Sequence, residues 1–204
     1  MPHDETSTGA ADPGQAGYGT VARAFHWVIA LLVLVQIPVG IAMLSQPLSR
    51  FSNALFVFHK GGGAVLLVLV FARLGWRVLH RPPPFPDFVP LDERRIASAT
   101  HHALYVLLLV MVVSGYVRTV GDGYPIELLD LLGVPPLMPL MPRAAAFALI
   151  VHQFAVLALV ALVAVHVSAL LRHQLIDRNP ILARMWPPHD RRHGSVGGSK
   201  PGGK

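Results

Sequence analysis

The stretch VHQFAVLALVALVAVHVSAL, residues 151–170, is almost wholly apolar and is long enough to cross a lipid bilayer as a helix. Two histidines interrupt it, His152 and His166, and a buried imidazole there costs free energy unless a partner satisfies it. Fourteen residues separate them, just under four turns at about 3.6 residues per turn, so both rings leave nearly one face. They lie about 21 Å apart along the axis, too far for two ligands of one metal ion.

The composition of the chain is typical of a membrane protein. Of 204 residues, 53% are hydrophobic and only 14% are charged, and the apolar residues are concentrated in blocks. Four blocks are long enough to span a bilayer, at 21–44, 54–78, 96–117 and 144–171. The formal charge of +6 does not indicate nucleic acid, because the arginines flank the apolar blocks. We therefore predict an all-α membrane protein, a bundle of four transmembrane helices.

The remaining segments divide the chain into one domain and two tails. Residues 1–19 are small and polar and predict a disordered tail, and residues 188–204 form a basic, Gly-rich tail. The domain covers residues 20–187. Within it, the Pro-rich stretch 81–90 predicts a stiff connector, and 119–143 predicts a short interfacial helix followed by an irregular loop.

The distribution of positive charge predicts the orientation of this bundle. Thirteen of the 17 lysines and arginines fall on the side that would also hold both termini. The other side has four: Arg50, Lys60, Arg118 and Arg143. Cytoplasmic flanks are the ones enriched in Lys and Arg, so both termini are predicted to be cytoplasmic.

The histidines fall at matching depths in this topology. His26 and His166 lie near the cytoplasmic side, and His59 and His152 lie near the outer side. The chain has no cysteine, which excludes iron–sulfur clusters, Cys-ligated zinc and the attachment of a c-type haem. Two b haems fit the pattern, because a porphyrin iron has two axial positions that imidazoles on facing helices can fill. We predict the pairs His26/His166 and His59/His152 as axial ligands.

Other residues are candidates for contacts with these cofactors. Small residues would let a porphyrin approach the backbone, as in the run 61–63 that ends at Gly63, although close helix packing explains the run equally well. Arg23 and Lys60 flank ligand histidines and are candidate partners of the propionates, while Arg23 also suits a plain cytoplasmic anchor. His101 and His102 open the third helix at the inner surface, where they could contact either a quinone head group or propionates and lipid.

The chain resembles the prokaryotic cytochrome b561 family, which is related to the b-type cytochrome subunits of nickel–iron hydrogenases and formate dehydrogenases. The resemblance covers about residues 18–187 and depends on these motifs together: RAFHW, FHKGGG, HHALY, HQFAVLALVALVAVH and RHQLIDRNPILARMWP. It implies the two ligand pairs named above and a bacterial inner membrane location. His101, four residues before Tyr105, matches an additional family histidine better than His102 does, and His173 matches another. Lys60 departs from the pattern, since a small or apolar residue is common there.

The function expected from these features is transmembrane electron transfer through two b haems that exchange electrons with a quinone such as ubiquinone. The chain could be a free-standing quinone reductase, for which the resemblance makes superoxide a candidate donor at the outer face. It could instead be the cytochrome anchor subunit of a multisubunit dehydrogenase that receives electrons from a partner redox subunit. A haem-free proton or ion transporter would also use intramembrane histidines, but the membrane blocks contain no evident Asp or Glu. Whether the chain is itself an enzyme stays open at this point.

Overall fold

Helices make up most of the residues that the computed structural model describes, which are 17–43, 51–86, 88–179 and 181–186, and no strand occurs among them. The predicted tails, except for residues 17–19, and the end of the first apolar block at Leu44 lie outside these residues. The helices are α1 Thr20–Ala42, α2 Ser52–Leu79, α3 Leu91–Gly121, α4 Glu127–Leu131 and α5 Pro142–Leu171. A π-helical turn, Arg172–Ile176, and a 3-10 turn, Leu182–Arg184, follow α5.

Four of these helices, α1, α2, α3 and α5, are long and apolar enough to cross a membrane, which confirms the predicted fold class. The start of α3 differs from the prediction, because the helix begins at Leu91 rather than near Ile96. Its first turn is polar, and Asp92 and Glu93 favour a helix N-terminus because carboxylates interact well with the helix dipole. The hydropathy pattern alone therefore placed this boundary too late.

The connection between α3 and α5 contains the short helix expected there, α4. One glycine lies just after α3, and another lies just after α4. Gly123 follows α3 with a φ of 84°, and Gly133 follows α4 with a φ of 69°. Each is the left-handed residue that lets the next amide bond back to the helix, as Tyr124 N does to Thr119 O at 3.0 Å. These turns place α4 beside α2.

The four long helices pack around an apolar core at the middle of the bundle. α3 packs mainly against α5, and α2 packs against both α1 and α3. The core residues come from all four spans: Ile29, Val33, Leu66, Val70, Val112 and Leu159. Many apolar side chains on the outer faces, such as Leu34 and Phe154, are exposed, as expected for helices that contact lipid.

The two ends of the described chain meet at one end of the bundle. Tyr18 N donates to Arg184 O at 3.0 Å, and Trp27 Nε1 donates to Met185 O at 2.9 Å. We call this end the termini side. The opposite end, which holds α4 and its flanking turns, is called the loop side.

Candidate functional site

The loop-side pair consists of His59 on α2 and His152 on α5. Their ring centroids lie 6.3 Å apart, and the ring planes are nearly perpendicular, at 86°. Neither side chain is exposed. The structure therefore brings together the two histidines that the sequence placed at the same depth.

The ring of His152 is oriented by α3. Its Nδ1 atom lies 3.1 Å from the backbone oxygen of Met111 and 3.2 Å from Ser114 Oγ. A ring nitrogen that donates to a carbonyl leaves the other nitrogen, Nε2, unprotonated and able to bind a metal. A Cβ atom at Gly115 would lie 3.1 Å from His152 Cε1, so the small residue allows the close approach of the ring to α3.

The ring of His59 packs against α1. A Cβ atom at Gly40 would lie 3.2 Å from His59 Cε1, and His59 Nδ1 is buried without a hydrogen-bond partner. The backbone oxygen of His59 accepts a hydrogen bond from Gln36 Nε2 at 3.1 Å. Sequence reasoning missed Gln36, although a lone amide within an apolar block was the signal that could have identified it.

The termini-side cluster contains three histidines rather than two. His26 on α1 and His166 on α5 face each other with ring centroids 6.5 Å apart, as their predicted common depth requires. His101 on α3 lies closer to the same partner, with centroids of His101 and His166 5.4 Å apart. His101 therefore belongs to this cluster.

His102 points in a different direction from His101. It is exposed, and its Nδ1 lies 2.7 Å from the backbone oxygen of Ser98, one turn earlier in its own helix. Adjacent residues in a helix point about 100° apart, so only one of this pair can face the bundle interior. The local pattern did not distinguish these two residues, and only the family resemblance favoured His101.

Two arginines of α2 lie beside the termini-side cluster. The guanidinium carbons of Arg73 and Arg77 are 5.5 Å and 5.8 Å from the centroid of the Tyr105 ring. Arg73 also interacts electrostatically with His26 and His101. In the sequence both arginines are recognisable only as cytoplasmic flanking charges, because their neighbours lie on other helices.

Arg23, a predicted propionate partner, makes different contacts. Its guanidinium donates to the backbone oxygen of Trp186 at 3.1 Å and to Thr20 Oγ1 at 3.3 Å. These bonds link the start of α1 to the 3-10 turn that follows α5. Its role toward a cofactor stays a prediction.

Lys60, the other predicted propionate partner, binds α4. Its ammonium group lies 2.8 Å from Glu127 Oε1 and 2.7 Å from the backbone oxygen of Pro125. The hydrogen bond and charge of Lys60 lower the pKa of Glu127. In the adjoining glycine run, a Cβ atom at Gly63 would meet nothing within 4 Å, so space around this residue is open.

The spacing of both facing pairs suits two imidazoles that bind one metal centre, such as the iron of a haem. Within the described ranges, no three His, Asp or Glu side chains come together in a way that could hold a metal ion. An imidazole nitrogen binds a transition metal at about 2.0–2.1 Å, so two rings on opposite sides of one ion have centroids roughly 6 Å apart. The two facing pairs have this spacing, and glycines adjoin both rings of the loop-side pair.

Comparison with known proteins agrees with these features. A family model described as prokaryotic cytochrome b561 matches residues 17–188, which include all four spans. The protein named cytochrome b561 homolog 2 from Escherichia coli (strain K12) is 33% identical over 172 residues. The aligned region covers 82% of this chain and 90% of that protein.

Proposed function

The chain belongs to the prokaryotic cytochrome b561 family, and from this premise we propose that it transfers electrons across the membrane through two bis-histidine b haems. Family membership and the four spans make it a multi-pass b-type cytochrome of a bacterial membrane that acts in electron transfer. One observation supports the number of haems most directly. Two pairs of facing imidazoles, His26/His166 and His59/His152, lie at different depths with ring centroids 6.5 Å and 6.3 Å apart.

In this proposal each pair of histidines holds one haem, and neighbouring groups orient the ligands. A bound haem supplies one-electron chemistry at its iron, while the protein supplies ligation, orientation and a low-polarity environment. The carbonyl of Met111 keeps the Nε2 atom of His152 free to bind. The apolar core between the two depths, which includes Val33 and Leu159, excludes water from the interior of the bundle.

The polar end of the termini-side site would hold the carboxylates of the propionates. Arg73 is suited to this role because a guanidinium forms strong, charge-assisted hydrogen bonds with carboxylates, and it interacts electrostatically with His26 and His101. Arg77 and Tyr105 extend the same polar surface. We assign His101 to this surface, and its position against His166 favours contact with the cofactor over contact with lipid.

We further propose that both termini are cytoplasmic and that electrons are exchanged with membrane quinone. The excess of Lys and Arg on the termini side supports this orientation. A small donor such as superoxide would then act at the loop side. Of the three loop-side cations within the described ranges, Lys60 pairs with Glu127 and Arg118 with Asp122, so Arg143 is the more available of these for attracting an anion.

Haem quantitation and reduced-minus-oxidised spectra of the purified chain test the proposal. Two b haems per chain are expected. A colourless protein from cells with ample haem would contradict the proposal and would support a haem-free transporter instead.

A second measurement separates the two cytochrome roles. A free-standing quinone reductase should reduce a soluble quinone analogue when superoxide is generated enzymatically, with no other subunit present. An anchor subunit should remain inactive in this assay and should co-purify with a partner redox subunit from its native membrane.

A further inference from the structure

The side chain of Gln36 joins α1 to α2 directly beside the loop-side pair. It lies in the apolar stretch VLVQIPVG, residues 33–40, and is only 6% exposed. Its Nε2 atom donates to the backbone oxygen of His59 at 3.1 Å. A buried amide in such a segment costs free energy unless its polar atoms are bonded, so this hydrogen bond holds the two helices in one register.

Two glycines make this contact possible. A Cβ atom at Gly62 would lie 1.9 Å from Gln36 Nε2 and 2.9 Å from its Cδ, so the amide occupies space that only glycine leaves open. Gly40 lies one turn after Gln36 on α1 and in the same way receives the ring of His59. The Gln36 amide of α1 thus packs into the space at Gly62 of α2, and the His59 imidazole of α2 packs into the space at Gly40 of α1. We call this contact the Gln36–Gly62 interlock.

Gln36 and His59 also contain polar atoms that have no hydrogen-bond partner. Gln36 Oε1 and His59 Nδ1 are both buried without a hydrogen-bond partner, and the His59 ring also interacts with the backbone carbonyl of Gln36. A histidine that binds a metal generally donates its other ring N–H to an acceptor, as His152 does to Met111. Gln36 therefore presents a backbone carbonyl to the ring of His59, and such a carbonyl is the kind of acceptor that a ligand histidine needs.

We propose that Gln36 is a positioning residue for His59, and that the Gln36–Gly62 interlock sets the orientation of this ring toward His152. This inference depends on the proposed haem ligation by His59. Gln36 does not ligate the iron; its amide bonds to the backbone oxygen of His59, and its own backbone carbonyl interacts with the His59 ring. A change in the interlock should alter the loop-side haem and leave the termini-side haem unchanged.

The test compares two glycines of α2 in the full-length, haem-loaded protein. Gly62→Ala places a methyl group against the amide of Gln36, whereas Gly75→Ala places the same group where nothing lies within 4 Å. Redox titration and low-temperature electron paramagnetic resonance would be recorded for both. We expect Gly62→Ala to shift the midpoint potential and the low-spin signal of one haem, and Gly75→Ala to shift neither. A His152→Ala variant identifies the signal that belongs to the loop-side haem.

Gln36→Ala and the double variant that combines it with Gly62→Ala complete a double-mutant cycle. Gln36→Ala should shift the same haem signal, and Gly62→Ala should add little further shift in its presence, because the clashing amide is gone. Gln36→Ala also tests the inference by itself if Gly62→Ala does not fold. A simple packing defect would lower thermal stability without moving the resonance signal.

The measurements distinguish a failure of this inference from a failure of the proposed function. A wild-type chain without haem would overturn both. A wild-type chain with two haems, in which Gly62→Ala and Gln36→Ala leave both signals unmoved, would overturn only the role of Gln36. Independent, additive shifts in the double variant would also contradict the interlock.

Discussion

The Nδ1 atom of His152 lies 3.1 Å from the backbone oxygen of Met111, so a carbonyl of α3 orients a histidine that belongs to α5. Ser114, one turn later on α3, lies 3.2 Å from the same nitrogen. His59 comes from a third helix, α2. Its ring packs against α1, so the loop-side pair depends on the relative positions of four helices, and its stability should report how well the bundle is packed.

Removal of the imidazole at position 152 should remove one haem. We expect His152→Ala to reduce the haem content from two per chain to one, because the loop-side site would lose one of its two proposed ligands while His26 and His166 remain. Pyridine haemochrome quantitation measures this change. Gln153→Ala, at an exposed neighbouring position, serves as the control and should keep both haems. Selective loss of the termini-side haem would contradict the pairing.

A larger side chain at position 115 of α3 should disturb the loop-side pair by displacing the His152 ring. A Cβ atom there would lie 3.1 Å from His152 Cε1, so the ring must shift by a few tenths of an ångström. We expect Gly115→Ala to change the spectrum of the loop-side haem and Gly115→Val to lower its occupancy. Gly75→Ala adds a methyl group in open space and should change neither quantity. Full occupancy and an unchanged spectrum in Gly115→Val would argue against a haem at this position.

The adjacent histidines of α3 should respond differently to substitution. His101 faces His166, whereas His102 is exposed and bonds to Ser98 of its own helix. We expect His101→Ala to shift the midpoint potential of the termini-side haem, and His102→Ala to leave both potentials unchanged. Redox titration of the two variants checks this. The reverse result would place the quinone or cofactor contact at His102 instead.

The attachment of α4 should depend on pH. Lys60 lowers the pKa of Glu127, so the contact stabilises α4 at pH values above the pKa of a free carboxyl. This stabilisation is lost as the pH falls through the lowered pKa, because the protonated carboxyl no longer pairs with the ammonium group. Glu127 is partly exposed, so the effect should stay below about 1 kcal/mol.

Amide hydrogen exchange in α4, corrected for the intrinsic rate at each pH, measures this opening. Glu127→Gln should give weak protection that no longer depends on pH in the acidic range. Asp130→Asn changes an exposed carboxyl in the same helix and should behave as the wild type does. Equal pH dependence in Glu127→Gln and the wild type would show that another group controls α4.

Much of the fold and part of the site follow from residue order, because each depends on local periodicity. Apolar runs of the length of a bilayer predict the four spans, and the positions of His26, His59, His152 and His166 within them predict two depths. The polar first turn of α3 escaped the hydropathy pattern, since its stability comes from helix-dipole interactions rather than from apolar surface.

The direction of each side chain could not be obtained in this way, since it depends on how each helix is rotated against its neighbours. His101 and His102 are equivalent in the linear pattern, and only packing turns the first toward His166 and the second outward. From the sequence, Lys60 is a loop-side cation with no recognisable partner. In the structure the turns after α3 place Glu127 beside it.

Residue order alone thus dictates the number of spans and the depth of each imidazole, since both are properties of a single helix. The contact partners of each side chain, by contrast, are decided only when the helices assemble into the bundle. Gln36 reaches His59 across 23 positions of the chain, where Gly62 leaves space on α2, and His152 reaches the carbonyl of Met111 across 41, where Gly115 leaves space on α3. Contacts of this kind exist only once helix rotation and spacing are set, because a side chain needs its neighbour's surface as well as its own position.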